Sequence, residues 1–195
     1  MLREKLRHYK IILASGSPRR QQFFRDLDID FSIDVREVDE VYPDNFQAEE
    51  ITNYLAKLKA DAFDDLKEKE LLVTSDTIVW HKGKALGKPV DYNDAFAILC
   101  SLSGDTHEVI TSVCFKSRDK TEVLHDVTKV TFNPVDNADI HYYLSNYKPY
   151  DKAGAYGIQE WIGFIGVSKI EGSYANVMGL PVDKVYQYLK NLPDV

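Results

Sequence analysis

Residues 13–20 read LASGSPRR, and they lie between a short apolar run and a segment with helical spacing. The run over residues 10–14 predicts a buried strand, and the apolar residues between 23 and 27 recur at the spacing of a helix. Ser17 stands where an N-cap residue belongs, and Pro18 stands at the first helical position, where its missing N–H costs nothing. The stretch therefore predicts a strand, a loop and a helix in succession.

A loop of this kind can hold a phosphate group. The Ser-Gly-Ser turn would present backbone N–H groups at a helix N-terminus, which carries partial positive charge. Arg19 and Arg20 add two permanent charges whose planar forks match phosphate oxygens. A capped helix with two solvated arginines is the alternative, and this segment alone does not choose between them.

The composition is that of a globular protein. With 195 residues the chain is long enough for one sizeable core, or for two small lobes that share a cleft. The net charge of −7 argues against a nucleic-acid partner, and no apolar run is long enough to predict a membrane span. The basic N-terminal segment is not expected to be a secretory signal. Cys100 and Cys114 are expected to be reduced thiols, so we expect a cytoplasmic protein.

Helical and extended patterns alternate along the chain, and no Gly/Ser/Pro-rich linker divides it. This favours an α/β or α+β architecture with a mixed sheet, in a single domain over residues 1–195. Strands are predicted over residues 71–80, 109–115 and 123–132, and helices over residues 48–66, 92–102, 137–147 and 181–192.

Asp76 is the most informative acidic residue, because it interrupts the apolar run over residues 71–80. Burying a lone carboxylate is expensive unless a metal or another cation neutralises it. A strand-end aspartate satisfied by backbone N–H groups is the alternative. Glu40 stands in a polar stretch that is typical of solvated surface. Oxygen ligands from Asp76 and Glu40 would suit Mg²⁺ or Mn²⁺.

The local sequence constrains the side-chain direction of two lysines, Lys59 and Lys88. Helical geometry puts Lys59 between Leu55 and Phe63, on the flank of the apolar stripe, whereas Lys57 points to solvent. Lys59 therefore either extends to the surface or reaches into a cleft. Lys88 stands in a Gly-Lys-Pro turn, which fixes its direction more than usual for a loop lysine.

Residues 150–159 read YDKAGAYGIQ and have an unusual content of small residues. The glycines and alanines around Tyr156 would allow the backbone to approach a flat or anionic ligand closely. A tight loop packed against the core is the alternative. His107 follows a turn that enters a strand, and we expect it to be structural rather than catalytic.

Six segments, taken together and in this order, resemble the Maf family. They are LASGSPRR (13–20), SDTIV (75–79), GKP (87–89), SGDTH (103–107), DKAGAYGIQ (151–159) and GSYANVMGLP (172–181). The resemblance implies a nucleoside triphosphate pyrophosphatase, which cuts between the α- and β-phosphates with a divalent cation. It also implies a fold like that of inosine triphosphate pyrophosphatases, a curved mixed sheet with flanking helices that form two lobes around a central cleft.

The resemblance carries roles over to the matching residues. Asp76 corresponds to the catalytic acidic residue, and Arg20, Lys59 and Lys88 correspond to the basic residues that contact phosphate. Glu40 corresponds to a further acidic position that would join Asp76 in holding the metal.

Four further residues match substrate-binding positions of the family. Ser15 corresponds to the serine of the first loop. Arg19, Thr77 and Gln159 match the branch that prefers dTTP and UTP, rather than the branch that prefers methylated GTP. The family usually has glycine after the glutamine, whereas this chain has Glu160.

We therefore expect a hydrolase of dTTP, UTP and related pyrimidine triphosphates that depends on Mg²⁺ or Mn²⁺. The expected partner is a small nucleoside triphosphate, with no nucleic acid and no membrane, and a homodimer is left open. Two alternatives remain: a nucleotide-binding regulator of cell division without significant turnover, and a hydrolase that removes altered purine triphosphates.

Overall fold

The computed structural model describes residues 2–193, in which helices and strands alternate. The strands are β1 (Lys10–Leu13), β2 (Phe31–Ile33), β3 (Glu70–His81), β4 (Lys84–Leu86), β5 (Thr106–Lys116), β6 (Thr121–Phe132) and β7 (Val167–Glu171). The helices are α1 (Leu2–Leu6), α2 (Pro18–Asp26), α3 (Glu49–Asp61), α4 (Tyr92–Leu102), α5 (Asn137–Tyr147), α6 (Trp161–Gly166), α7 (Tyr174–Val177) and α8 (Val182–Lys190), with a short 3₁₀ helix at Ala153–Ala155.

The strands form one mixed sheet in the order β2-β1-β3-β5-β6-β7, and β4 pairs with β3 outside this order. Strand β1 runs parallel to β2 and to β3, whereas β4 is antiparallel to β3 and β7 is antiparallel to β6. The predicted fold class, a mixed sheet with flanking helices, is confirmed.

Most predicted elements are present, some with the predicted ends and some with different ones. Helices α4 and α5 have the predicted bounds. The helix predicted over residues 48–66 is shorter, because α3 ends at Asp61. Phe63 is buried in the turn that follows, where its N–H donates to the carbonyl of Ala60 at 3.1 Å. Apolar residues thus continue past the end of the helix, and periodicity alone could not locate it.

The chain divides into two compact units. The first unit comprises Met1–Asp76, Thr111–Asp126 and Gly179–Val195, and the second comprises Thr77–Ile110 and Val127–Met178. Each unit has its own apolar core. Two clusters of buried side chains lie in the first unit and one lies in the second.

His107 belongs to the core of the second unit. Its Nε2 lies 2.7 Å from the hydroxyl of Tyr156, and its ring packs edge-on against Phe132 and Tyr156. Burial lowers the pKa of His107 to about 4, so the ring is neutral at neutral pH. The predicted structural role of His107 is confirmed.

The small-residue loop also packs against the core of the second unit. Tyr156 and Ile158 are buried, and Gly154 has a φ of 72° in the left-handed region. A Cβ at Gly154 would lie 2.6 Å from a methyl group of Val79. This glycine therefore makes room for a side chain of the protein itself, as the alternative of a tight loop predicted.

Both cysteines are free thiols, and Cys114 is buried whereas Cys100 is partly exposed. Among residues 2–193, no helix combines the length and the apolar character needed to span a bilayer.

Replacing Gly163 with alanine should destabilise the protein strongly, because its Cβ would overlap the backbone carbonyl of Ile158. We expect the free energy of unfolding to fall by about 3 kcal/mol, as for other steric conflicts in a core. Gly87→Ala is the matched control, since nothing lies within 4 Å of a Cβ at that position. Urea denaturation measures both variants, and equal losses would contradict the close approach at Gly163.

Candidate active site

Asp76 is a buried carboxylate whose charge is compensated by a lysine. It lies on β3, and its Oδ1 is 2.6 Å from the ammonium nitrogen of Lys59 on α3. Only 9% of the Asp76 side chain is exposed. The expected cost of burying this carboxylate is therefore offset by a direct ion pair, and the alternative of an aspartate satisfied only by backbone N–H groups is wrong.

Small residues bring α3 close enough to the sheet for this pair to form. Thr52, Ala56 and Ala60 follow one another at four-residue spacing and are fully buried. The hydroxyl of Thr74 donates to the carbonyl of Ala56 at 2.6 Å. Because side chains two residues apart point to the same face of a strand, Asp76 faces α3 together with Thr74.

Two contacts with β5 hold the ends of the same helix. The hydroxyls of Thr52 and Ser112 are 2.6 Å apart, and the Lys116 ammonium donates to the carbonyl of Ala60 at 3.1 Å. The position of Lys59 is therefore set by contacts along the whole length of α3.

The two lysines of α3 differ as predicted. The Lys59 side chain is 19% exposed, whereas that of Lys57 is 54% exposed and pairs with Asp61 at 2.6 Å. The predicted difference between their faces is confirmed, and Lys59 reaches inward rather than to the surface.

Glu40 contacts the same ammonium group. Its Oε1 lies 3.1 Å from the Nζ of Lys59, and its side chain is half exposed. The loop between β2 and α3 thus brings a second carboxylate to Lys59, so that one cation lies between the carboxylates of Asp76 and Glu40.

Arg20 is anchored by backbone carbonyls of the first unit. Its Nε donates to the carbonyl of Gly179 at 2.7 Å, and its Nη1 donates to the carbonyl of Ser75 at 3.1 Å. Burial lowers the pKa of the Arg20 guanidinium, and the neighbouring Asp76 carboxylate opposes that shift. The alternative in which this arginine is solvated is therefore wrong.

The first loop begins α2 as predicted, although its hydrogen bonds differ. Pro18 is the first residue of α2 and Ser17 is the N-cap, but the side chain of Ser17 makes no capping hydrogen bond. Instead, the N–H of Ser17 donates to the hydroxyl of the buried Ser15 at 3.2 Å. The Gln21 side-chain amide donates to the Ser15 carbonyl at 3.1 Å. The loop is therefore held by hydrogen bonds from Ser17 and Gln21 to Ser15. Arg19 follows the loop in the first turn of α2 and is partly buried.

Three predicted site residues belong to the second unit: Thr77, Lys88 and Gln159. Thr77 and Gln159 are partly buried, and Lys88 is exposed. The carbonyl of Gly87 accepts a hydrogen bond from the N–H of Gly154 at 3.0 Å. This bond holds the turn that carries Lys88, and the direction of the Lys88 side chain stays a prediction.

A family model described as Maf-like protein matches residues 10–192. The chain belongs to the Maf family. The dTTP/UTP pyrophosphatase of Flavobacterium johnsoniae is 66% identical to this Maf protein over 193 residues, which cover 98% of this chain and 100% of that one. The dTTP/UTP pyrophosphatase of Flavobacterium psychrophilum is 63% identical over 192 residues, or 98% of each chain.

The likeness to solved structures is weaker. A HAM1 protein from Coxiella burnetii is 14% identical, with 94% of this chain and 100% of that chain covered and a TM-score of 0.45. At this level the likeness supports no argument about the Maf protein.

Sequence reasoning assigned no role to three further residues of the second unit: Tyr143, Lys152 and Glu160. Lys152 is buried and forms an ion pair with Glu160 at 3.1 Å, and the hydroxyl of Tyr143 donates to the same carboxylate. The only feature of the sequence that pointed to these contacts was Glu160, which stands where the family usually has glycine. Nothing in the pattern of α5 singles out Tyr143.

Two acidic residues of the first unit, Asp76 and Glu40, offer carboxylate oxygens of the kind that Mg²⁺ takes as ligands. Asp76 and Glu40 supply oxygen donors around one point, the Lys59 ammonium. Within residues 2–193, no group of three or more His, Cys, Asp or Glu is arranged to hold a metal. Mg²⁺ is commonly held by one or two carboxylates together with substrate phosphates, so a divalent cation at Asp76 and Glu40 stays a prediction.

Removal of the Lys59 ammonium should destabilise the fold, because the buried Asp76 carboxylate loses its partner. We expect Lys59→Ala to lower the free energy of unfolding by about 2 kcal/mol. Lys57→Ala removes only an exposed ion pair and should cost less than about 1 kcal/mol. Urea unfolding curves of the two variants make the comparison, and a loss no larger for Lys59→Ala would mean that Lys59 does not compensate Asp76.

Proposed function

We propose that this Maf protein hydrolyses dTTP and UTP to the nucleoside monophosphate and pyrophosphate. Relatives named dTTP/UTP pyrophosphatase match it over nearly its full length at 66% and 63% identity. The structural observation that carries the proposal is the ion pair between Asp76 and Lys59, a buried carboxylate and a cation in the unit that also holds the first loop.

We assign the triphosphate contacts to the basic residues Arg20, Lys59 and Lys88, and to the hydroxyl of Ser15. Cations beside a phosphoryl group stabilise the charge that moves toward the leaving pyrophosphate. Their fixed positions support this role. Arg20 is held by two backbone carbonyls, and the turn of Lys88 is held by Gly87.

Asp76 accepts a proton from the attacking water in this proposal. The water oxygen attacks the α-phosphorus, the bond from that phosphorus to the bridging oxygen breaks, and pyrophosphate leaves. Asp76 and Glu40 would hold Mg²⁺ or Mn²⁺, which would polarise the phosphoryl group as a Lewis acid. Lys59 keeps the Asp76 carboxylate in place through the contact at 2.6 Å.

Base choice is assigned to Arg19, Thr77 and Gln159. Uracil and thymine present an N3–H donor between two carbonyl acceptors. The Gln159 amide offers an acceptor and a donor side by side, and can pair with N3–H and one carbonyl together. Arg19 can donate to a carbonyl, and Thr77 can donate or accept. Cytosine can pair with a rotated amide, so discrimination should be weaker against CTP than against purines.

A panel of triphosphates tests the activity directly. Pyrophosphate release is measured with purified protein, Mg²⁺ or Mn²⁺, and UTP, dTTP, CTP, GTP and inosine triphosphate. The highest kcat/KM should belong to UTP and dTTP. Tight nucleotide binding without turnover would support the regulator instead, and faster hydrolysis of inosine triphosphate would support a role in removing altered purines.

A cytoplasmic location is part of the same proposal. Both cysteines are free thiols, which is usual for a reducing compartment.

The net charge of −7 favours a small anionic substrate, bound by a few focused cations, over a nucleic-acid polymer.

Asp76→Asn should abolish most turnover while the fold is retained, because the amide keeps the shape of the side chain but accepts no proton from water. We expect kcat to fall by at least about a hundredfold. Asp119→Asn, which alters an exposed ion pair with Arg118, is the control and should keep normal activity. Near-normal turnover by Asp76→Asn at saturating Mn²⁺ would remove Asp76 from the catalytic assignment.

A further inference from the structure

A buried lysine and a carboxylate meet beside Gln159 in the second unit. The Nζ of Lys152 lies 3.1 Å from the Oε1 of Glu160, and only 10% of the Lys152 side chain is exposed. The exposed Asp151 accepts a second hydrogen bond from the same ammonium at 2.8 Å. Because a buried ammonium is costly without a partner, the ion pair holds residues 152 and 160 together.

Tyr143 on α5 extends this network. Its side chain is fully buried, and its hydroxyl donates to the Oε2 of Glu160. The same hydroxyl accepts a hydrogen bond from the N–H of Gly157 at 3.0 Å. Burial and the Glu160 carboxylate raise the pKa of Tyr143, so the hydroxyl remains a donor at physiological pH.

The loop is shaped to admit the Glu160 carboxylate. A Cβ at Gly157 would lie 2.8 Å from the carboxyl carbon of Glu160, so a glycine leaves the space that this side chain fills. The N–H of Glu160 donates to the carbonyl of Gly157 at 3.0 Å, and the carbonyl of Glu160 accepts from the N–H of Gly163 at 2.9 Å. Glu160 is thus held through both its backbone and its side chain.

Gln159 lies between two anchored neighbours. Ile158 is buried in the core of the second unit, and Glu160 is held by the network, while Gln159 itself is partly buried. A side chain that recognises a base must be held in place before the ligand arrives, since an error of about 1 Å costs much of the selectivity.

We propose that Lys152, Glu160 and Tyr143 are positioning residues that hold Gln159 for base recognition. The inference rests on the proposed function, because it assumes that Gln159 contacts the base. It assigns to Glu160, where the family usually has glycine, a part in substrate selectivity rather than in phosphate chemistry.

The first test compares selectivity with stability. For Glu160→Gln and Lys152→Met, the ratio of kcat/KM for UTP to that for GTP should fall by about tenfold, the order expected for one charged hydrogen bond. The change should lie mainly in the KM for UTP. Lys152→Arg should retain most of the ratio, and Lys169→Met, which breaks an exposed ion pair with Glu171, should leave it unchanged.

A double substitution separates positioning from a purely structural role. If Glu160 acts through Gln159, then Glu160→Gln added to Gln159→Ala should change the ratio no further. Independent effects that multiply, or a loss of stability with an unchanged ratio, would overturn the proposal. Tyr143→Phe preserves the volume of the ring, so it provides the same test if the charge variants fail to fold.

Binding measurements distinguish a failure of the positioning role from a failure of the proposed hydrolysis. Calorimetry with α,β-methylene-UTP and α,β-methylene-GTP measures selectivity without hydrolysis. A wild-type protein that binds the uridine analogue selectively but turns over no UTP would contradict only the proposed function. Equal loss of affinity for both analogues in Glu160→Gln would contradict the positioning role, whatever the turnover.

Discussion

A buried carboxylate on β3 is the constraint on which the first unit depends. Asp76 can lie in an apolar strand only because the Lys59 ammonium reaches it at 2.6 Å. That contact requires α3 to approach the sheet closely, which in turn requires the small side chains of Thr52, Ala56 and Ala60 on the buried face. The charge pair and the packing of the helix therefore cannot be separated, and the ion pair between Asp76 and Lys59 is also a packing requirement.

The regular elements could be predicted because each has a clear period. Helices α4 and α5 have the predicted bounds, and the apolar run with an interior aspartate is a strand. Helical geometry also predicted that Lys59 and Lys57 lie on different faces of α3, because the face follows from the spacing to nearby apolar residues. Arg20 is different. Its partners are the backbone carbonyls of Ser75 and Gly179. Both residues are distant from Arg20 in the sequence, and a pattern of side chains does not predict which backbone carbonyls come close on folding.

The glycine-rich loop shows a second limit. A glycine can mark a position where a Cβ would clash, but the sequence does not identify the atoms that occupy the space. Val79 fills it at Gly154 and Glu160 fills it at Gly157, so both glycines serve contacts within the protein. The network of Lys152, Glu160 and Tyr143 was missed for a related reason. Its members come from different elements, and only the replacement of a usual family glycine at position 160 pointed to it.

The alternation of β3 has a consequence for how substrate preference can change. Asp76 and Thr77 are consecutive residues, and consecutive side chains of a strand point to opposite faces. A substitution at position 77 alters one face while the strand hydrogen bonds keep the carboxylate where it is. Under the proposed assignment of Thr77 to base choice and of Asp76 to proton transfer, substrate preference would therefore change by substitution on one face of β3 while the chemistry is preserved on the other.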